Sequence, residues 1–296
     1  MKHPLFQSLS AALLLLALCA CTAASPDQTP NPPPETAESV ETEPVLVERD
    51  WSAFFQGMQG SAVLYDPQRQ EVHVFQPSLA ETRRSPCSTF KIVSAFAALE
   101  AGVLQPEDST RAWSGEVFWN DEWNRDLDFS DAFHSSCVWY FRQLIDELGP
   151  ERMQQAVDRL QYGNCDLSDW SGARNQNNNN PALTGFWIES SLAISPREQT
   201  EVMERIFGGD GSQASRQALE EVMAYETNTP YQVYGKTGMG KVNGVVVDAW
   251  FTGFARQDAQ PLYFCVWLGQ SEGASSPAAR EIALDLLAQW YAAGDS

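Results

Sequence analysis

Ser88-Thr89-Phe90-Lys91-Ile92-Val93-Ser94-Ala95-Phe96-Ala97-Ala98-Leu99-Glu100-Ala101, closed by Gly102, is the stretch on which the reading of this chain turns. It predicts a helix over 88–101, stopped by the glycine. Phe90, Ile92, Val93, Ala95, Phe96, Ala97, Ala98 and Leu99 leave almost no polar face, and a helix apolar all round is buried. Lys91 is therefore a lysine inside a core, a place lysines seldom occupy. Burial lowers its pKa and favours the neutral amine. Residues three apart share a helix face, so Ser88 Oγ and Lys91 Nζ converge. A neutral amine beside a hydroxyl is a general base for a serine nucleophile. Ser88 also lies in the first turn, where free backbone N–H groups favour developing negative charge. Ser-x-x-Lys alone is common as an exposed helix pair; its apolar surroundings set this one apart.

Outward from that helix, residues 61–76 alternate around Asp66-Pro67, which predicts a β-hairpin. Residues 136–148 and 150–160 read as two helices broken at Gly149-Pro150. Helical rhythm returns over 195–207, opened by Ser195-Pro196, and over 212–225. Three strand-like runs follow, 231–237, 244–256 and 261–269, and then an amphipathic last helix over 277–292. Strands thus flank a helical middle. The expected fold is mixed α/β: a central antiparallel sheet of N- and C-terminal strands, covered by the first and last helices, with a mostly helical subdomain inserted. The polar run 175–180 (NQNNNN) reads as a solvated loop without a role.

The first 44 of the 296 residues read differently. Lys2 and His3 precede the apolar run around Leu13–Leu16, which is too short to span a bilayer and suits a signal peptide, 1–20. Leu18-Cys19-Ala20-Cys21 resembles a lipoprotein cleavage site, with Cys21 acylated. Residues 22–44 are rich in Pro, Thr and Glu, lack apolar residues to bury and read as a tether. The domains are therefore 1–20, 21–44 and a catalytic domain over 45–296. The expected location is outside the cytoplasm, at the cell surface or in the periplasm, with membrane contact only through the lipid. A formal net charge of -20 argues against nucleic-acid partners. Cys87, Cys137, Cys165 and Cys265 allow two disulfides in three connectivities, or none. No Cys-x-x-Cys or His-x-x-x-His spacing exists, and His73 and His134 stand alone, so no metal is expected.

A second element, Lys236-Thr237-Gly238, ends the strand that starts at Tyr231, and its glycine leaves room for a ligand against the backbone. Ser-x-x-Lys opening a buried helix and Lys-Thr-Gly on a late strand together form the pattern of penicillin-binding serine enzymes. Within these, the chain resembles the class D β-lactamases. Ser136-Cys137-Val138 is similar to their Ser-x-Val element and Tyr162-Gly163-Asn164 to their Tyr-Gly-Asn. Phe186-Trp187-Ile188-Glu189 is similar to their Phe-Trp-Leu-Glu. Tyr234-Gly235-Lys236-Thr237-Gly238 and the helix around Arg280 complete the order, over about residues 50–292.

The resemblance implies a β-lactamase/transpeptidase-like fold, a β-lactam substrate and these roles. Ser88 would be acylated. Lys91 would carry CO2 as an N-carboxylated lysine, with Trp187 donating to the carbamate and Val138 keeping the pocket dry; no other cofactor is implied. Ser136 would protonate the departing nitrogen. Lys236, Thr237 and Arg280 would hold the substrate carboxylate, with Gly238 leaving room for the substrate, and the N–H groups of Ser88 and Met239 would form the oxyanion hole. Tyr162 and Asn164 would shape the site, and Glu189 would be structural. Two other readings share these motifs: a penicillin-sensing domain that keeps its acyl group, and a cell-wall transpeptidase, which usually has Ser-x-Asn where this chain has Val138.

Overall fold

A computed structural model describes residues 43–294. The expected signal peptide, the Cys21 acylation site and nearly all of the tether lie outside the described residues. Along the chain come β1 (Val45–Glu48), α1 (Ser52–Phe55), β2 (Gly60–Asp66), β3 (Glu71–Phe75) and α2 (Pro77–Ala80). The middle holds α3 (Lys91–Glu100), α4 (Phe129–His134), α5 (Val138–Leu148), α6 (Pro150–Arg159), α7 (Pro196–Glu204) and α8 (Gln213–Met223). Then β4 (Ala224–Tyr225), β5 (Gln232–Val242), β6 (Val245–Gln257) and β7 (Gln260–Leu268) lead to α9 (Ser276–Gly294).

The strands form one sheet in the order β1-β3-β2-β7-β6-β5-β4. N- and C-terminal strands meet where β2 pairs antiparallel with β7, Val63 opposite Cys265. The sheet is antiparallel except at one edge, where β1 runs parallel to β3. Tyr65 of β2 packs into the core on the helical side, as does Val63, while Ala62 and Leu64 face the opposite core under α9. The period of two in a strand thus feeds two cores rather than one core and solvent.

The helices begin where local chemistry allows. Ser195 caps α7: its side chain accepts from the Glu198 N–H while Glu198 accepts from the Ser195 N–H, satisfying two end donors reciprocally. Two predicted starts move. Ser88 lies in a short 3-10 turn, Cys87–Phe90, and α3 proper starts at Lys91. In a 3-10 turn side chains three apart eclipse, which brings Ser88 and Lys91 together more directly than an α-turn would. The helix predicted from 136 starts at Val138, because Ser136 has φ +56°, a left-handed conformation that no α-helix continues through.

Candidate active site

Lys91 is 1 % exposed and its Nζ lies 2.8 Å from Ser88 Oγ. Around it, Ile92, Val93, Ala95, Phe96 and Ala98 are all buried, as the sequence pattern requires. Burial in this apolar setting pulls the Lys91 pKa down to about 8. The ring of Phe141, from α5, has its centroid 5.5 Å from Nζ. A ring face by itself attracts an ammonium, so it is desolvation that favours the amine here.

A second lysine comes from the sheet. Lys236, on β5, is 4 % exposed; its Nζ donates to Ser136 Oγ at 3.1 Å and to the Thr237 carbonyl at 3.2 Å. Burial first, and then the charge of Lys91, hold its pKa well below the ordinary lysine value. The structure thus joins two serine–lysine pairs, Ser88–Lys91 and Ser136–Lys236. The second spans 100 residues of sequence.

Glycine at 238 lets the strand lie close against the nucleophile turn. A Cβ there would lie 3.0 Å from the Pro86 carbonyl oxygen and 3.2 Å from the Thr89 nitrogen, so the turn would have to shift by a few tenths of an ångström. Thr237 is partly exposed and Met239 is 41 % exposed, so both border open space beside the turn. Val138 is partly buried and packs against the helical-side core.

Trp187 is fully buried, stacked on Phe90 at 6.2 Å between ring centroids. Its carbonyl accepts from the Cys87 N–H at 3.0 Å, pinning the residue before Ser88. Cys87 itself has φ +50°, so the turn holds backbone strain beside the serine. The Trp187 indole Nε1 is buried with no hydrogen-bond partner. A buried donor left unpaired costs about 1–3 kcal/mol, so an acceptor within its reach would stabilise the site. An unpaired buried donor and an amine whose pKa burial has lowered are the groups a carbamate on Lys91 would need.

The remaining expected residues divide. Asn164 is structural: its side chain donates to the Ser191 carbonyl at 2.8 Å and accepts from the Ala193 N–H at 2.9 Å. Tyr162 is buried with its ring 5.3 Å from Phe90. Arg280 sits on α9 with its guanidinium 5.9 Å from the Tyr225 ring centroid. No hydrogen bond among the described residues ties it to Lys236 or Thr237, so geometry joins Ser88, Lys91, Ser136 and Lys236 without it. The four cysteines are free thiols, and burial raises the Cys87, Cys137 and Cys265 pKa values. No group of His, Cys, Asp or Glu among the described residues could hold a metal.

The polar run 175–180 is not the idle solvated loop that its composition suggested. Asn175 is 8 % exposed, Asn180 Nδ2 donates to Glu116 Oε1 at 2.6 Å, and Asn177 bonds to Glu189 and to the Asn243 N–H. Composition hides this because a hydrogen-bonded Asn and a hydrated one look alike in sequence. Ser85 was also missed. Its hydroxyl donates to the Trp187 carbonyl at 3.1 Å and accepts from the Glu189 N–H at 2.8 Å. Its place three residues before Ser88 was the available signal.

Residues 60–288 match the family described as Penicillin binding protein transpeptidase domain. The chain is 29 % identical over 242 residues to the "Regulatory protein BlaR1" of Bacillus licheniformis, covering 80 % of this chain but only 38 % of that protein's length. It is likewise 29 % identical over 238 residues to the "Probable beta-lactamase YbxI" of Bacillus subtilis, covering 80 % of this chain and 82 % of the relative. Among solved structures, the C-terminal domain of the B. licheniformis BlaR penicillin receptor superposes with a TM-score of 0.74 at 28 % identity, covering 84 % of this chain and 97 % of that one. A class D β-lactamase from B. subtilis superposes with a TM-score of 0.70 at 28 % identity, over 81 % and 95 %.

Proposed function

The chain belongs to the penicillin-binding protein transpeptidase-domain family, and from that membership we propose that it hydrolyses β-lactams through an acyl-enzyme on Ser88. The observation that carries the reading is the fully buried Lys91, 2.8 Å from Ser88 Oγ. Ser88 Oγ gives its proton to the Lys91 side and attacks the lactam carbonyl carbon. The C–N bond breaks, and Ser136 passes a proton to the departing nitrogen, its hydroxyl oriented by the 3.1 Å hydrogen bond from Lys236 Nζ. The Lys91 side passes its proton on to Ser136, and water then hydrolyses the serine ester: the restored base takes the water proton, the ester C–O bond breaks and that proton returns to Ser88 Oγ.

CO2 taken up by Lys91 Nζ would supply a carbamate as that base, and Trp187 would be the residue to hold it by its indole N–H. The apolar walls, Val138 and Phe141 among them, exclude competing water. Lys236 and Thr237 meet the substrate carboxylate, joined by Arg280 once substrate is bound. The N–H groups of Ser88 and Met239 receive the developing oxyanion. Glu189 is left out of the chemistry, since both of its carboxylate oxygens are taken by Asn177 and the Lys241 N–H.

A second reading, acylation without release, has the BlaR1 likeness in its favour. The test is the 43–296 domain with a chromogenic cephalosporin and intact-protein mass measurement. Many turnovers per enzyme are expected, with no acylation in Ser88→Ala. One equivalent followed by a halt would assign the sensing role. A Ser88→Ala variant that is still acylated would remove Ser88 from the mechanism.

A further inference from the structure

Three irregular features meet beside the site, and none is needed by the chemistry above. Glu189 has φ +51°, the left-handed region that a glutamate avoids. The β5–β6 ladder shifts register between Gly240 and Lys241: Gly240 faces Asp248, but Lys241 faces Val246. Asn177, from the polar run, reaches the tip of the same hairpin. Bulges re-aim local groups, and here the Lys241 N–H donates to Glu189 Oε1 at 2.5 Å. Glu189 Oε2 accepts from Asn177 Nδ2, and Asn177 Oδ1 accepts from the Asn243 N–H at 3.0 Å.

These bonds close a ring of contacts with the nucleophile turn. Ser85 joins Trp187 and Glu189, and the Trp187 carbonyl holds Cys87. From the other side, a Cβ at Gly240 would lie 3.0 Å from Cys87 Sγ and 3.4 Å from Glu189 Oε1. The strand that carries Lys236 to Met239 is therefore held against the Ser88 turn from just beyond residue 240.

We propose that Glu189 and Asn177 are positioning residues, a clamp that fixes the Lys236–Met239 strand against the Ser88 turn and so sets the rate of serine acylation. The inference rests on the reading of Ser88 as the acylated nucleophile. It does not depend on whether the acyl group is later released. The donor–acceptor pattern makes it testable by exchange. Glu189→Gln places an amide donor against the Asn177 amide donor. Asn177→Asp places a carboxylate against the Glu189 carboxylate. The double variant restores the match: the new amide at 189 donates to the new carboxylate at 177. The Lys241 and Asn243 N–H groups keep their acceptors.

The experiment measures the second-order rate constant for acylation by benzylpenicillin, with Tm and circular dichroism recorded on each variant. Each single variant should acylate about tenfold more slowly, the scale set by losing a hydrogen bond to a charged group. The double variant should return to within about threefold of wild type, a coupling that independent sites do not show. Asn177→Ala, at an exposed loop position, should be as slow as the single variants with little change in Tm. Single variants that match wild type overturn the clamp. So does a double variant as slow as the product of the singles, which would point to charge rather than fit. A wild-type protein that benzylpenicillin does not acylate overturns the Ser88 reading, and the clamp with it.

Discussion

The two faces of one sheet are built to different ends. Under α9, the core is filled by Leu64, Phe264, Val266, Ile282, Leu286 and Leu287. Across the sheet, the larger core against α3 and α5 surrounds Lys91, and Lys236 points its Nζ toward Phe133 of that core, at 5.6 Å from the ring centroid. Both faces bury apolar area at about 25 cal/mol per Å². Among the described residues, the two buried amines and the unpaired indole donor lie on the helical face. The contrast teaches that the α9 face supplies stability, while the helical face gives some of it up to keep reactive groups dry.

Three substitutions sharpen or break that contrast. The largest effect is expected from Lys91→Met, which keeps bulk and removes the amine. Acylation should fall by at least about 10²–10⁴-fold, the usual worth of a general base. Stability should move the opposite way in CO2-depleted buffer. The folded pKa of Lys91 is about 8, below the unfolded value of about 10.4. Below pH 8 both states are protonated, and the full penalty, roughly 3 kcal/mol at most, weighs on the fold. It fades as pH rises from 8 and is gone above about 10.4. Lys91→Met should therefore raise Tm at pH 7 and leave it little changed near pH 10.5, as followed by thermal melts. A variant that is inactive and less stable at every pH would show that Lys91 supports the fold.

Leu286→Ala, under α9, should do the reverse. Truncating a fully packed leucine costs about 3 kcal/mol, read from denaturant unfolding. Acylation per folded molecule should stay at the wild-type rate. A loss of rate larger than the loss of folded protein would mean that the two faces are coupled through the sheet.

The smallest effect is expected from Arg280→Ala, on α9, where the guanidinium rests beside Tyr225. If the arginine swings to the substrate carboxylate, KM rises about tenfold with kcat nearly unchanged, the mark of lost ground-state binding. An unchanged KM in steady-state kinetics would assign the carboxylate to Lys236 and Thr237 alone.

What could be read from the sequence was what a single segment specifies. The apolar circumference of 90–99 determined that Lys91 is buried, and the spacing of three determined that it meets Ser88. The glycine of Lys236-Thr237-Gly238 announced a close approach to backbone. Asp66-Pro67 and Ser195-Pro196 announced a turn and a helix start. These signals are local, because helix and strand periods are properties of neighbouring residues.

Tertiary structure decided the rest. Lys236 finds Ser136 across 100 residues, Glu189 finds Lys241 across 52, and Asn243 finds Asn177 across 66. The parallel pairing of β1 with β3, the left-handed backbone at Cys87, Ser136 and Glu189, and the unpaired Trp187 donor belong to the same class. No period in the sequence encodes such contacts. They arise when the closed sheet brings separate segments within hydrogen-bond reach, and the gain from burying the two cores holds strained residues in conformations that an isolated peptide would leave.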